Sequence, residues 1–256
     1  MAIWGKINFF YDTMLGSAGS ALTATSTAAG DYLVSYIYNM LETNMWKASS
    51  SANQTLSYDA GAGNTKGADY ISILGHNLKT AGASIYLEWS DNNSNWTQAW
   101  SDTPTADTIY LKEFTQTAAH RYWRLRITGA SVAVYMTLCI WGLKTELDYC
   151  TAEFDPYGQE VKANRNFSQG GYVTGIHTMY AERQIALTFE DADAALYGLI
   201  KTWWETSGLK NFFMAWEIDN NPNDVYLMRP DAKFFNPLTN GGLYRNVNIN
   251  LTGRKE

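Results

Sequence analysis

Only two cysteines, Cys139 and Cys150, occur among the 256 residues, and neither belongs to a CxxC or Cys/His cluster. Zinc binding at them is therefore not expected. The two thiols read as small buried hydrophobes, with a disulfide between them as the alternative. Charged residues are also scarce, at 17%, and the net charge of −6 contains no basic block. A nucleic-acid partner is not expected from such a chain. No apolar run approaches ~18 residues, so no membrane span is expected. Residues 1–10 carry one lysine and neither a long apolar core nor a small-residue cleavage pattern, so they do not read as a secretory signal.

Enzyme signatures are missing too. There is no G-x-S-x-G, H-E-x-x-H, P-loop or G-x-G-x-x-G. The three histidines, His76, His120 and His177, lie apart, without carboxylate or serine partners at catalytic spacing. A pair of glycosidase carboxylates converging from distant strands would leave no sequence trace. Nothing in the chain favours one, and the expectation is a protein without catalysis and without a cofactor.

What the chain has in quantity is aromatic surface: 14% of residues, with ten Trp and seventeen Tyr. A chain this long can bury a substantial core as one large β domain or two ordinary ones. Short alternating segments recur along the first half. Ile85, Leu87 and Trp89 share one face, with Tyr86, Glu88 and Ser90 on the other. Trp123, Leu125 and Ile127 oppose Tyr122, Arg124 and Arg126. Val132 to Trp141 alternates as well. With turn signals between them and no helical period, these segments predict an antiparallel sandwich or jelly roll.

The stretch Ala83 to Trp96 runs from strand into five turn-forming residues, Asp91 to Asn95, and straight into a large ring. Together with Arg121-Tyr-Trp-Arg-Leu-Arg-Ile127, this Ser-Asp-(polar)-Asn-Trp loop resembles the discoidin, or F5/8-type C, domains, which are galactose-binding-like sandwiches. The segment Tyr38 to Lys47 fits the same resemblance, which implies that Trp46 plugs one end of the sandwich. The resemblance covers about residues 20 to 145.

Composition changes at Asp148 to Gly171, which hold Pro156, Gly158, Gly170 and Gly171 and few apolar residues. A boundary is therefore expected near residue 147, giving domains 1–147 and 148–256. The second part reads as strand Gln184–Phe189, a helix capped by Asp191 or Asp193 with Leu196, Leu199, Ile200 and Trp203 on one face, then strands ending in Tyr244–Leu251. Gly208 is expected to stop the helix. This order predicts an α+β sandwich or barrel with one flanking helix. It resembles the ring-forming tail-tube, tail-terminator and distal-tail proteins of long-tailed bacteriophages.

The candidate ligand-binding residues are Trp96, Trp100, Arg124 and Arg126. Aromatic faces beside polar loops hold the C–H faces of sugars, and Trp100 is expected to be exposed. The arginine stripe could line a ligand groove, pair with acids, or simply be solvated. Asp91, Asn92, Asn93 and Asn95 lack the 1-3-5 pattern of a calcium loop, so they read as an Asx-rich turn and no metal is expected. In the second part, Trp204, Phe213, Tyr226 and Met228 would form an apolar outer face, covered by a neighbouring subunit or by a third layer of the same chain. The resemblances together imply a structural protein of a phage tail tip or baseplate. Its expected partners are other copies in a hexameric or trimeric ring, neighbouring tail proteins and host-surface glycans; it would be assembled in the host cytoplasm and carried in the virion. The alternative is a carbohydrate-binding module attaching to surface glycans.

Overall fold

A computed structural model describes residues 5–115 and 118–254, which form two compact units. One comprises Phe9–Thr145 with Ile218–Val225; the other comprises residues 5–8, Glu146–Glu217 and residues 226–254. Among the described residues no helix is long and apolar enough to cross a membrane.

The first unit is an antiparallel β-sandwich, as the alternation predicts. Its strands are β1 (Asn8–Thr13), β2 (Ala21–Ala24), β3 (Trp46–Lys47), β4 (Gln54–Asp59), β5 (Tyr70–His76), β6 (Ser84–Ser90), β7 (Thr97–Asp102), β8 (Tyr110–Glu113), β9 (Tyr122–Thr128) and β10 (Tyr135–Glu146), with a single turn of helix, α1 (Leu78–Ala81). One layer runs β1-β10-β5-β8, with β3 beside β10, and the other runs β2-β4-β9-β6-β7. Between them, Ile71 and Ile73 pack with Ile85, Leu87, Trp123, Leu125, Ile127 and Met136 in one buried cluster. Each such side chain contributes roughly 1.5–3 kcal/mol by leaving water. Trp46 is fully buried, and its indole N–H donates to the Ser26 carbonyl at 3.2 Å, so it plugs the core as expected.

The central strand β10 departs from the alternating pattern. Met136 to Gly142 is buried on both faces, whereas Val132, where the alternating segment was expected to begin, lies before the strand and is exposed. Gly142 is needed for close approach, because a Cβ there would sit 2.0 Å from the carbonyl oxygen of Asp12.

The second unit contains β11 (Gln159–Phe167), β12 (Val173–Ala192), α2 (Ala194–Ser207), β13 (Phe212–Ala215), β14 (Val225–Pro230), β15 (Leu238–Thr239) and β16 (Tyr244–Arg254). The sheet order is β11-β12-β16-β14-β13, with β15 beside β16. Val247, Ile249 and Leu251 are buried and Asn248 and Asn250 exposed, as the period-two pattern predicts. The Asp193 carboxylate accepts from Leu196 N–H at 2.8 Å and so caps α2, while Gly208 ends it with φ of 57°. Ile200 and Trp203 face inward, but Leu199 is 42% exposed, so the buried stripe of α2 is narrower than its apolar sequence.

Two features of this unit went unread. β11 lies in a stretch whose composition gives no strand pattern, and β12 is 20 residues long where only Gln184–Phe189 was expected. β16 pairs with β12 from Glu182 to Ala192 only. From Val173 to Ala181, β12 pairs with β11 alone, as a two-stranded ribbon.

Candidate functional site

The outer face of β9 and β6 is built from the polar half of the alternation. Register places Glu88 opposite Arg124 and Tyr86 opposite Arg126, so two cations, one acid and a phenol occupy adjacent positions on one side of the sheet. Arg124 Nε donates to Glu88 Oε2 at 2.6 Å. Arg126 donates to Glu88 Oε1 through Nε at 3.0 Å and Nη2 at 2.7 Å. The guanidinium of Arg124 lies 4.1 Å from the Trp96 ring centroid, and that of Arg126 lies 4.0 Å from the Tyr86 ring. The order across the face is therefore Trp96, Arg124, Glu88, Arg126, Tyr86.

Glu88 holds this row in place. It is buried, which by itself raises a carboxyl pKa, but the hydrogen bonds and charges of Arg126 and Arg124 outweigh burial and hold the group below the usual carboxylate range. The arginines and both rings are only half-buried. Two positive charges against one negative leave the row net cationic. The result is a flat surface of fixed N–H donors and aromatic rims, suited to a ligand with both hydroxyls and a C–H face.

Of the four sequence-predicted ligand residues, Trp96, Arg124 and Arg126 come together, and of the readings open for the arginine stripe, pairing with an acid is realised. Trp100 does not join them. A bulge between Leu87 and Glu88 sets Trp100 opposite Leu87, so its ring packs half-buried against the core beside Tyr110 and Phe114, at centroid distances of 6.0 and 6.4 Å. The expectation of an exposed Trp100 is thus corrected. Sequence reasoning missed Glu88 and Tyr86 as members of the site. Their shared face was visible, but their pairing with β9 was not.

The loop after β6 closes on itself. The side-chain carbonyl of Asn92 accepts from the amides of Ser94 and Asn95 at 3.0 and 2.9 Å, and Asn93 takes a left-handed φ of 56°. Among the described residues no group of three or more His, Cys, Asp or Glu could hold a metal ion. His120, expected to lack a carboxylate partner, has one: its Nδ1 lies 2.8 Å from Asp91, and its ring stacks on Trp89 at 3.5 Å. Both cysteines are free; burial pushes the Cys150 thiol up to about 11.

No protein-family model and no curated protein matches the sequence. Solved structures similar to this chain include carbohydrate-binding modules. One is chitosan-binding module 1 of a chitosanase/glucanase from Paenibacillus sp. IK-5, at 18% identity over 51% of this chain and 98% of that one, with a TM-score of 0.41. Another is CpGH89CBM32-5 from Clostridium perfringens, solved with GalNAc-β-1,3-galactose, at 13% identity over 49% of this chain and 96% of that one, TM-score 0.41. A Ruminococcus gnavus GH29 fucosidase, solved with fucose, matches at 16% identity over 54% of this chain and 28% of its own length, TM-score 0.46.

Of the two coverings open for the apolar face of the second unit, by a neighbouring subunit or by the chain itself, the second is the one found for Phe213, Tyr226 and Met228. Phe213 and Met228 are fully buried and Tyr226 nearly so, because β13 and β14 are covered on both faces of their strands. The Arg183 guanidinium also sits 3.9 Å from the Tyr226 ring. Trp204 is half-buried and stacks on Phe234 at 4.9 Å. Exposed apolar surface is concentrated elsewhere, on the β11–β12 ribbon, where Tyr172 is 77% and Ile176 64% exposed and Val161, Phe167, Val173 and Met179 are all more than half exposed.

Proposed function

We propose that this chain is a non-enzymatic glycan-binding protein whose sandwich presents the row Trp96–Arg124–Glu88–Arg126–Tyr86 to a sugar. The observation that carries the reading is the fixing of two guanidiniums by one buried carboxylate, each against a half-exposed aromatic ring. A pyranose offers an apolar C–H face and a rim of hydroxyls. Aromatic rims and pre-oriented N–H donors complement both at little cost in ordering, because the side chains are already held. Isothermal titration of the full chain against hits from a broad glycan array tests this. Trp96→Ala and Tyr86→Ala are expected to abolish a measurable hit while leaving the melting temperature within a few degrees. If every hit were indifferent to both variants, or if there were no hit at all, the reading would be overturned.

A second reading is favoured by the apolar ribbon. In it the chain is a structural protein of a tailed-phage tail tip, carried in the virion, whose copies associate with one another and with neighbouring tail proteins. An isolated two-stranded ribbon is marginal in water, and the register sets the exposed Val161, Phe167, Val173 and Ile176 on one of its faces, the kind of apolar surface that assembly covers. The two readings are compatible, since a glycan-binding sandwich on an assembling unit gains avidity from copy number.

A further inference from the structure

The second unit carries an aromatic-walled groove that neither reading uses. Helix α2 packs across β12 and β16, with Trp203 buried and Trp204 at the edge of the contact. The segment after β14 folds back so that Phe234 stacks between Trp204, at 4.9 Å and 15°, and Tyr197, at 6.5 Å and 23°. Beneath these rings lies a recess of about 210 Å³, floored by Asn248 and Asn250 and rimmed by Asp231, Lys233 and Phe235. Phe235 is 62% exposed, and Lys233 Nζ lies 5.1 Å from its ring centroid. The Asn248 side-chain carbonyl accepts from the Thr188 hydroxyl at 2.9 Å, which fixes the amide plane and turns its N–H₂ away from that bond.

This recess meets a second one of about 520 Å³ at Asp231 and Asn250, which line both. The second continues over the exposed face of β12 and β16 past Gln184 and Thr252 to Phe154 and the carboxylates of Glu153 and Asp155. Aromatic rings therefore stand at both ends, with amides, a hydroxyl and a carboxylate between. Asn248 and Asn250, two residues apart on one strand face, set donors and acceptors roughly 7 Å apart, a spacing on the scale of one sugar ring. Across the two linings three carboxylates, Glu153, Asp155 and Asp231, face one ammonium, Lys233. That balance repels anions.

We propose that this groove binds a linear oligosaccharide without acidic groups, one ring against Phe235 and Trp204 and the following ring over Asn250 and Thr252. Ligand pockets of this kind combine apolar walls with a few convergent polar groups that fix orientation. The opposite charge of the two surfaces distinguishes them: the sandwich row is net cationic, whereas the groove is net anionic and is suited to neutral or amine-bearing sugars.

The test is an array of neutral, amino and uronic oligosaccharides probed with the full chain, followed by titration of the strongest neutral or amino hit. Phe235→Ala and Asn250→Ala remove exposed side chains, so both variants should keep the wild-type melting temperature. Each is expected to weaken that hit roughly tenfold, while Trp96→Ala leaves it unchanged. Absence of any neutral or amino hit, or hits confined to uronic sugars, would overturn the proposal. So would a neutral or amino hit that is lost on Trp96→Ala but insensitive to Phe235→Ala and Asn250→Ala, and that outcome would at the same time uphold the sandwich site.

Discussion

At the scale of single residues, Glu88 is where the most depends on the least. It accepts three hydrogen bonds from two arginines while buried. Glu88→Gln keeps the shape but loses the charge, leaving two half-buried guanidiniums side by side without a counter-ion. A loss of about 2 kcal/mol is expected at pH 7, within the range for hydrogen bonds to charged groups, as measured by urea unfolding. Because the folded carboxyl titrates below its unfolded value, its contribution is full above the unfolded pKa, near ~4.3. It is lost as pH falls through the lowered folded value. The wild-type and Glu88→Gln unfolding curves should therefore converge in that acid window and stay parallel above it. A gap that persisted unchanged well below the folded pKa would mean that Glu88 acts through packing. Strand phase was legible here, since alternation puts Arg124 with Arg126 and Tyr86 with Glu88. Which strand lies beside which is a long-range fact that no local pattern carries, and the site exists only once β6 and β9 are neighbours.

At the scale of elements, the sequence was most readable where one face is wet. β4, β9 and β16 alternate in burial as their residues do, and α2 begins and ends at the residues that capping chemistry selects. It misled where both faces are dry: Phe-Phe-Met-Ala in β13 and Val-Tyr-Leu-Met in β14 are continuous apolar runs, and such runs carry no inside and outside to assign. Phe213, Tyr226 and Met228 were placed outward by a period that does not operate there. Two substitutions test the element-level account. Asp193→Ala removes the cap of α2 and should cost about 1 kcal/mol, seen in thermal unfolding. Gly142→Ala forces a methyl into the Asp12 carbonyl across the β1–β10 pair. Overpacking a core costs typically 1–3 kcal/mol, and with backbone as the obstacle the upper end is expected. A Gly142→Ala protein as stable as wild type would show that β1 does not lie against β10 as described.

At the scale of the whole molecule, membership of the two units follows packing and not order along the chain, since residues 5–8 and Ile218–Val225 each belong with the unit on the far side of the sequence divide. A composition shift near residue 147 can mark a change of grammar, but it cannot show such returns. The same scale decides the assembly reading. The ribbon of β11 and β12 beyond Ala181 exposes Phe167, Tyr172, Val173, Ile176 and Met179, and among the described residues no third strand pairs with it. Burying even five such side chains between copies is worth several times ~1.5 kcal/mol, set against an association cost of roughly 4–15 kcal/mol. Association through the ribbon alone should thus be weak and concentration-dependent, becoming firm only when many copies close a ring. Light scattering across a concentration series should show the average mass of the wild-type chain rising toward a defined oligomer. The double variant Phe167→Ser, Ile176→Lys changes only exposed side chains, so it should fold with an unchanged melting temperature and remain monomeric. If wild type and double variant gave the same mass at every concentration, the ribbon would not be the assembling surface. If both were monomeric throughout, self-association of the free chain would fall with it, leaving the glycan-binding proposal to stand alone.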